Sequence, residues 1–580
     1  MKQFLSGNEA VARGLFEAGV SVGSAYPGTP STEIFENLGQ YEGIYHEWAP
    51  NEKVAVEVAY GASIAGVRAV AAMKHVGLNV AADPLFTAAY NGVEGGFVII
   101  SADDPGMHSS QNEQDNRHYA RAAKVPMFEP ADSQDSLDMI WEAFEISEKF
   151  DIPVLFRMTT RVCHARSLVE EGEPVTVEPR PYKRNAKKHI ATPVNAIVHR
   201  KELEQKLTDL AHYSEHCKFN KMDLKGDKVG VVTAGGASLI AREVFPRDSS
   251  FLTLGFTHPL PIGMIRDFAE KVEKLYVVEE LDGFMEEQIR AAGIDCVGKE
   301  VVPRMYELNP TILKEALTGQ VPELKDVKAE AVPRPPVLCP GCPHRGFFYT
   351  LSRRKKTIVA GDIGCYALGG SPPLSAMDTT ICMGAGLTVA MGMAKAFEKT
   401  GADWTIFGVV GDSTFFHSGI TGAIEILYNK GKVIPVVLDN STTAMTGQQD
   451  NPGTGYNLEG EIAAVISIEA VFKAIGYRKV ITVDPQDLDA MKAAIEEAAA
   501  SQEPCAMVVR RQCVLIKRMP LEPALCYVDR DLCTSCRMCL RVGCPAIFFV
   551  DGKSMIDPNQ CVGCTVCLQV CPFDAIKKSE

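Results

Sequence analysis

Eight of the chain's 18 cysteines fall between residues 533 and 571, in two runs of one pattern. The first is Cys533-x-x-Cys536-x-x-Cys539 with Cys544-Pro545; the second is Cys561-x-x-Cys564-x-x-Cys567 with Cys571-Pro572. Clustered CxxC spacing in a chain without export features reads as metal or iron–sulfur ligation rather than as a disulfide framework. Paired zinc knuckles are the competing reading, but zinc sites seldom use CxxCxxC triplets. Thiolates are the soft ligands that iron–sulfur clusters need, and a doubled CxxCxxC…CP holds two [4Fe–4S] clusters. The fourth cysteine of each run then serves the other cluster. Cluster one takes Cys533, Cys536, Cys539 and Cys571, and cluster two takes Cys561, Cys564, Cys567 and Cys544. Four residues, not three, separate Cys539 from Cys544, and a one-residue bulge near Gly543 is expected to absorb the difference.

Residues 524–580 therefore form an α+β, bacterial-type ferredoxin domain, and the preceding residues make or use its electrons. Their number is a soft prior for several further domains. The net charge of -14 argues against non-specific nucleic-acid binding and offers no basic patch to a membrane surface. No apolar run approaches the roughly 18–20 residues of a membrane helix. The opening residues lack the apolar core of a signal peptide and read as a short strand and an amphipathic helix capped by Ser6 or Asn8. A cytoplasmic protein without nucleic-acid or membrane partners is expected.

Strand and helix patterns alternate through residues 1–170, 193–320 and 338–520, which predicts an α/β, multidomain chain built on parallel sheets. Pro-rich stretches at 170–192 and 321–337 read as linkers. No G-x-G-x-x-G opens a helix after a strand, so a nicotinamide site is not indicated. The clearest βαβ unit lies in the third segment, as WTIFGVVGD, HSGITGAIEILYNKG and KVIPVVLDN. Gly411-Asp412-Ser413 and Asp439-Asn440 close its two strands. Ligands bind at such carboxyl ends, and Asp and Asn offer the hard oxygens that Mg²⁺ takes. Two polar strand caps are the bland alternative.

GDS followed by DN resembles the thiamine diphosphate motif, with Ser413 where many relatives have Gly. The resemblance implies that Asp412 and Asn440 bind Mg²⁺ by side chain and Thr442 by its carbonyl. The first segment carries Tyr26-Pro27-Gly28-Thr29-Pro30-Ser31 and Asn51-Glu52. Together these look like the thiamine domains of 2-oxoacid:ferredoxin oxidoreductases. On that resemblance the sheets are doubly wound, 1–170 binds the pyrimidine, 193–320 is transketolase-C-like and 338–520 binds the diphosphate and Mg²⁺. Glu52 is then the carboxyl that activates the aminopyrimidine, with Glu57 as its rival. Thr29 faces the substrate, and Arg117 takes the substrate carboxylate, with Arg121 as the alternative. His46, His75 and His417 are weaker candidates for lining the site.

In this family the diphosphate domain carries a further [4Fe–4S] cluster. Cys339 and Cys342 of CPGCPHR, Cys365 of DIGCY and Cys513 match its four ligand places, with a redox dithiol or bare structural thiols as the alternative reading of CPGC. The remaining cysteines, 163, 217, 296, 382, 505 and 526, follow no pattern and read as buried small apolar residues. The domain order, GDSTFFHSG, DNSTTAMTGQQ and CPGCPHR are most similar to the arylpyruvate branch. That branch implies oxidative decarboxylation of aryl 2-oxoacids, indolepyruvate among them, with coenzyme A. Electrons pass through the clusters to external ferredoxin. A beta subunit carrying the gamma-like domain, in an α₂β₂ assembly, is also implied. A non-oxidative thiamine decarboxylase would leave the tail without a task, and a non-catalytic electron-transfer subunit would leave GDS and DN without one.

Overall fold

The computed structural model describes residues 2–320, 334–518 and 524–579. Most of the second Pro-rich stretch, 321–333, and the end of the third segment, 519–520, lie outside the described residues. The chain divides into two compact units, 1–328 and 329–580.

The first unit opens with strand Lys2–Ser6 and helix Gly7–Glu17. Ser6 caps that helix through a reciprocal box with Glu9, as the sequence predicts. The main sheet has seven strands, in the order Phe256–His258, Met127–Phe128, Val154–Thr159, Phe97–Asp103, Ala69–Lys74, Val22–Ala25, Tyr45–Trp48. All pairings but the first are parallel. Its central strands read VAAM, VIIS and VLFRM because helices cover both faces. A second sheet orders Lys274–Val278, Val229–Ala234, Ser250–Leu254, Lys221–Asp223, with the last strand antiparallel. Strand Phe256–His258 comes from the second α/β segment yet extends the first sheet, so the two segments share one unit. The stretch after 170 forms little regular structure, but it is tied along the first segment by Val175 N to Glu17 O (3.0 Å) and Arg180 N to Gly66 O (2.8 Å).

The second unit is built on a six-stranded, wholly parallel sheet. Its order is Thr379–Thr380, Thr357–Gly361, Thr405–Gly411, Ile434–Asp439, Cys505–Arg510, Lys479–Val483. GDS and DN thus stand at the carboxyl ends of adjacent central strands. The expected helix after GDS is broken: a π-helical stretch, Phe415–Gly419, separates the turn Asp412–Thr414 from helix Ile420–Tyr428. The tail pairs Cys526–Val528 with Ile576–Lys578, and Ile547–Val550 with Lys553–Ile556. Val542 and Val566 of the tail join the same core as Phe347, Phe348 and Leu351.

Candidate active site and cluster sites

The tail cysteines line two cavities, and the partition follows the crossed assignment. One is walled by Cys533, Cys536, Cys539 and Cys571 among Val528, Phe573 and Ile576. The other is walled by Cys544, Cys561, Cys564 and Cys567. Tetrahedral zinc would hold its sulfurs about 3.8 Å apart, given a Zn–S bond of about 2.3 Å. Among the described residues no three cysteine sulfurs lie within 4.8 Å of one another. Gly543 takes up the extra residue of the first run. It stops the 3₁₀ turn Met538–Val542 in the left-handed region, at φ 70° and ψ 21°.

Cys526 departs from expectation. It is buried, but it lines the second cavity, and its N–H points at Cys561 Sγ (3.4 Å). Its position before the first CxxC gave no spacing signal. Cys382 also departs: it is exposed in the turn before helix Ala385–Thr400.

At the strand ends, Asp412 is buried, and its Oδ2 accepts from Thr442 N (3.1 Å) and Asn451 Nδ2 (3.2 Å). Burial and the neighbouring Asp439 push its carboxyl up to about 7. Arg510 Nε holds Asp439 Oδ2 at 2.6 Å, so Asp439 faces the Arg510–Glu469 pair while Asn440 turns toward Asp412. One terminal amide position of Asn440 lies 2.7 Å from Thr442 O and 3.2 Å from Asp412 Oδ1. With the amide oxygen there, three oxygens converge. Octahedral Mg²⁺ at 2.0–2.1 Å places neighbouring ligands about 2.9 Å apart, which both spacings bracket. The residues present therefore fit a magnesium diphosphate.

The cysteines of the proposed third cluster adjoin this triad. Cys513 N donates to Asn440 O at 2.9 Å. Tyr366, next to Cys365, packs on Gly411, where a Cβ would meet its ring at 2.7 Å. The Tyr366 hydroxyl donates to Asp362 and lies 3.3 Å from Thr414 Oγ1. Cys365 lies within electrostatic reach of Cys339, Cys342 and Cys513. Burial raises the Cys342 thiol to about 12 and the Cys365 thiol to about 11. Asn451, Tyr366 and Asp362 were missed by the sequence reading. Each acts through a contact distant in the chain, and only the DIG of Asp362 hinted at a strand end.

In the first unit, Thr29 lies in the turn after strand Val22–Ala25, half-buried, before a cis proline. Glu52 is buried at the start of helix Glu52–Ile64, with its carboxyl over Gly77. Asn51 caps that helix by accepting from Val54 N at 2.9 Å. Glu57 is exposed and paired with Lys53. His46 and His75 are buried against backbone carbonyls of Ile44 and Asn112, and burial lowers His75 to about 4. His417 is buried beside Ser418 in the π-helical stretch of the second unit.

Arg117, expected to take a substrate carboxylate, is buried and already paired within the protein. Only 1% of it is exposed, and its donors go to Asp115 (2.5 Å), Glu279 (2.6 Å) and the carbonyls of Glu280 and Asp282. It joins the two α/β segments of the first unit. Arg121 is exposed on the same helix. The cation beside Thr29 is Lys74, which the sequence reading passed over: a Cβ on Gly28 would lie 3.0 Å from its stem. Lys74 Nζ donates to Ser109 O (2.9 Å), and burial lowers its pKa to about 8 against the pull of Asp104 and Glu52.

Three family models match stretches of the chain. The family model "Pyruvate flavodoxin/ferredoxin oxidoreductase, thiamine diP-bdg" matches residues 13–224. "Thiamine pyrophosphate enzyme, C-terminal TPP binding domain" matches 362–509, and "4Fe-4S binding domain" matches 555–577. The indolepyruvate oxidoreductase subunit IorA of Methanothermobacter marburgensis is 41% identical over 99% of this chain and 97% of its own. That of Thermococcus kodakarensis is 39% identical, over 99% and 96%. The 2-oxoglutarate synthase subunit KorA of Archaeoglobus fulgidus is 25% identical over 52% of this chain and 96% of its own. With full-length identity near 40% and thiamine and iron–sulfur segments in matching places, the chain belongs to the IorA family of thiamine diphosphate-dependent 2-oxoacid:ferredoxin oxidoreductases.

Proposed function

We propose that this chain, with a beta subunit, converts an aryl 2-oxoacid, coenzyme A and two oxidised ferredoxins to aryl-acetyl-CoA, CO₂, two reduced ferredoxins and a proton. The observation that carries this reading is the Cys513–Asn440 hydrogen bond. It joins a candidate cluster ligand to a candidate Mg²⁺ ligand, as a site that removes electrons where decarboxylation occurs requires. A non-oxidative decarboxylase has no use for that adjacency.

Thiamine diphosphate, when bound, supplies the carbanion that attacks the 2-oxo carbon and the electron sink that lets CO₂ leave. The chain's residues hold and tune it. Asp412, Asn440 and the Thr442 carbonyl would hold Mg²⁺ for the diphosphate, with Gly411 and Ser413 framing the turn. Glu52 exchanges a proton with the aminopyrimidine ring nitrogen; its burial suits that role, and the Lys53 pairing of Glu57 does not. Thr29 and Lys74 address the 2-oxoacid end of the substrate, Lys74 replacing Arg117 in that role. Cys339, Cys342, Cys365 and Cys513 would hold a third [4Fe–4S] cluster, which when bound would supply one-electron chemistry beside the Mg²⁺ ligands. The arylpyruvate preference rests on the names of the IorA relatives. An α₂β₂ assembly and a cytoplasmic location complete the reading. Among the described residues no helix is long and apolar enough to cross a membrane.

The test is anaerobic reduction of a viologen by the loaded enzyme with indolepyruvate, phenylpyruvate, pyruvate or 2-oxoglutarate, each with and without coenzyme A. CoA-dependent reduction with the aryl acids is expected. Aldehyde release without CoA dependence would replace the reading by a decarboxylase.

A further inference from the structure

Arg345, in the first turn of helix His344–Leu351, which follows the loop that carries Cys339 and Cys342, is 2% exposed. Its guanidinium donates four hydrogen bonds, all to backbone carbonyls. Nη2 reaches Leu338 O (2.6 Å) and Cys339 O (2.9 Å), in the loop of the proposed third cluster. Nη1 reaches Val542 O (3.0 Å) and Gly543 O (2.5 Å), just before Cys544 of the second tail cluster. Nε has no partner. The other large buried arginines meet carboxylates: Arg117 pairs with Asp115 and Glu279, and Arg157 with Asp103 and Glu129. Arg345 has no carboxylate partner among the described residues. Arginine does not shed its proton, and an uncompensated buried charge costs several kcal/mol.

The missing negative charge is of another kind. Four thiolates around an oxidised [4Fe–4S] core leave a net charge of about -2, and one more on reduction. The guanidinium lies between two such ligand sets, and Cys342 already feels its charge. The same loop also walls the second tail cavity, through Pro340 and Gly341. A Cβ on Gly341 would meet Val562 at 2.1 Å and Cys564 at 3.5 Å. The first tail cavity, with Cys533 and Cys571, is lined by tail residues alone.

We propose that Arg345 is the shared counter-cation of the third cluster and the second tail cluster, bridging them so that electrons enter the tail at Cys544, Cys561, Cys564 and Cys567. The inference rests on the third-cluster reading given above. One electron at a time leaves the reduced third cluster and reduces the second tail cluster. It moves on to the first tail cluster and then to ferredoxin, with no proton transferred and Arg345 cationic throughout. A fixed cation beside both clusters favours their reduced forms.

The test uses the anaerobically loaded holoenzyme, with iron analysis and redox titration followed by electron paramagnetic resonance, without turnover. Arg345→Met with full iron is expected to lower the midpoint potentials of the two flanking clusters, each by at least a tenfold change in reduction equilibrium, or about 59 mV. The potential of the Cys533/Cys536/Cys539/Cys571 cluster should stay put. Arg345→Lys keeps the charge and should restore most of the loss. Full iron with unmoved potentials in Arg345→Met would overturn the proposal. Should that variant lose iron, Arg345→Lys decides: full iron with near-wild-type flanking potentials supports the proposal, and a drop of tenfold or more overturns it. In the fully reduced wild type, the third cluster should couple magnetically to the second tail cluster; coupling to the first instead would overturn the route. About eight irons per wild-type chain, rather than about twelve, would remove the third cluster itself, a failure distinct from unmoved potentials at full iron.

Discussion

Asp412, Glu52 and Lys74 divide the candidate chemistry between a metal, a proton and a substrate charge. Asp412→Ala removes one of three converging oxygens and the acceptor for Thr442 N and Asn451 Nδ2. Cofactor retention and activity are expected to be lost while the tail keeps about eight irons, by thiamine and iron analysis. Glu52→Gln should keep the cofactor and abolish exchange of its C2 proton in deuterated buffer, whereas Glu57→Gln should exchange like the wild type. Unchanged exchange in Glu52→Gln would move the role elsewhere. Lys74 has a depressed pKa, so it is cationic below about pH 8 and neutral above. The KM for the 2-oxoacid should therefore rise as pH passes through about 8. Lys74→Met should raise it about tenfold to a hundredfold at pH 7, the worth of one charge-assisted hydrogen bond, and flatten that pH dependence. Asp412 was legible from its motif. Lys74 was not, because MKH carries no spacing signal and its proximity to Gly28 comes from parallel strands separated by two crossovers.

At the scale of elements, loop conformations set the ligands. The sequence reading expected irregularity near Gly543, and the structure makes it a left-handed stop. A side chain there has two obstacles: αL costs about 1–2 kcal/mol, and a Cβ would lie 2.9 Å from Pro373 Cδ. Gly543→Val should displace Cys544 and lose about four irons per chain, the second tail cluster, with the first retained. Loss of no iron would show that the loop shifts without cost to the ligand. The strand ends were equally legible, since a parallel-sheet pattern places its polar caps at the carboxyl edge. The π-helical stretch after GDS was not legible, for FFHSGITG keeps a helical periodicity through it.

At the scale of the whole molecule, a network of buried charge fastens the two α/β segments of the first unit. Arg117 and Arg157 are set among Asp103, Asp115, Glu129 and Glu279. Arg117→Met leaves Asp115 and Glu279 buried without their cation. A loss of about 3–5 kcal/mol in stability is expected, seen as a lower unfolding midpoint, with the KM of the surviving enzyme unchanged. A selective rise in KM at unchanged stability would return Arg117 to the substrate. The family resemblance together with arginine's fit to carboxylates pointed to Arg117 as a substrate clamp. Its carboxylates are Asp115, two residues away, and Glu279, 162 positions away.

The sequence by itself determined the element alternation, the two cysteine sets that line separate tail cavities and the strand-end set of Asp412, Asn440 and Thr442. Each of these is written in local spacing, where chain geometry fixes what neighbours can reach. Only the tertiary structure decided which glutamate is buried, which arginine is already neutralised, that Cys526 shares a cluster cavity and that Arg345 spans two cysteine loops. Those are questions of which distant groups lose water together. The energy of a buried charge depends on partners that the chain brings close only by folding.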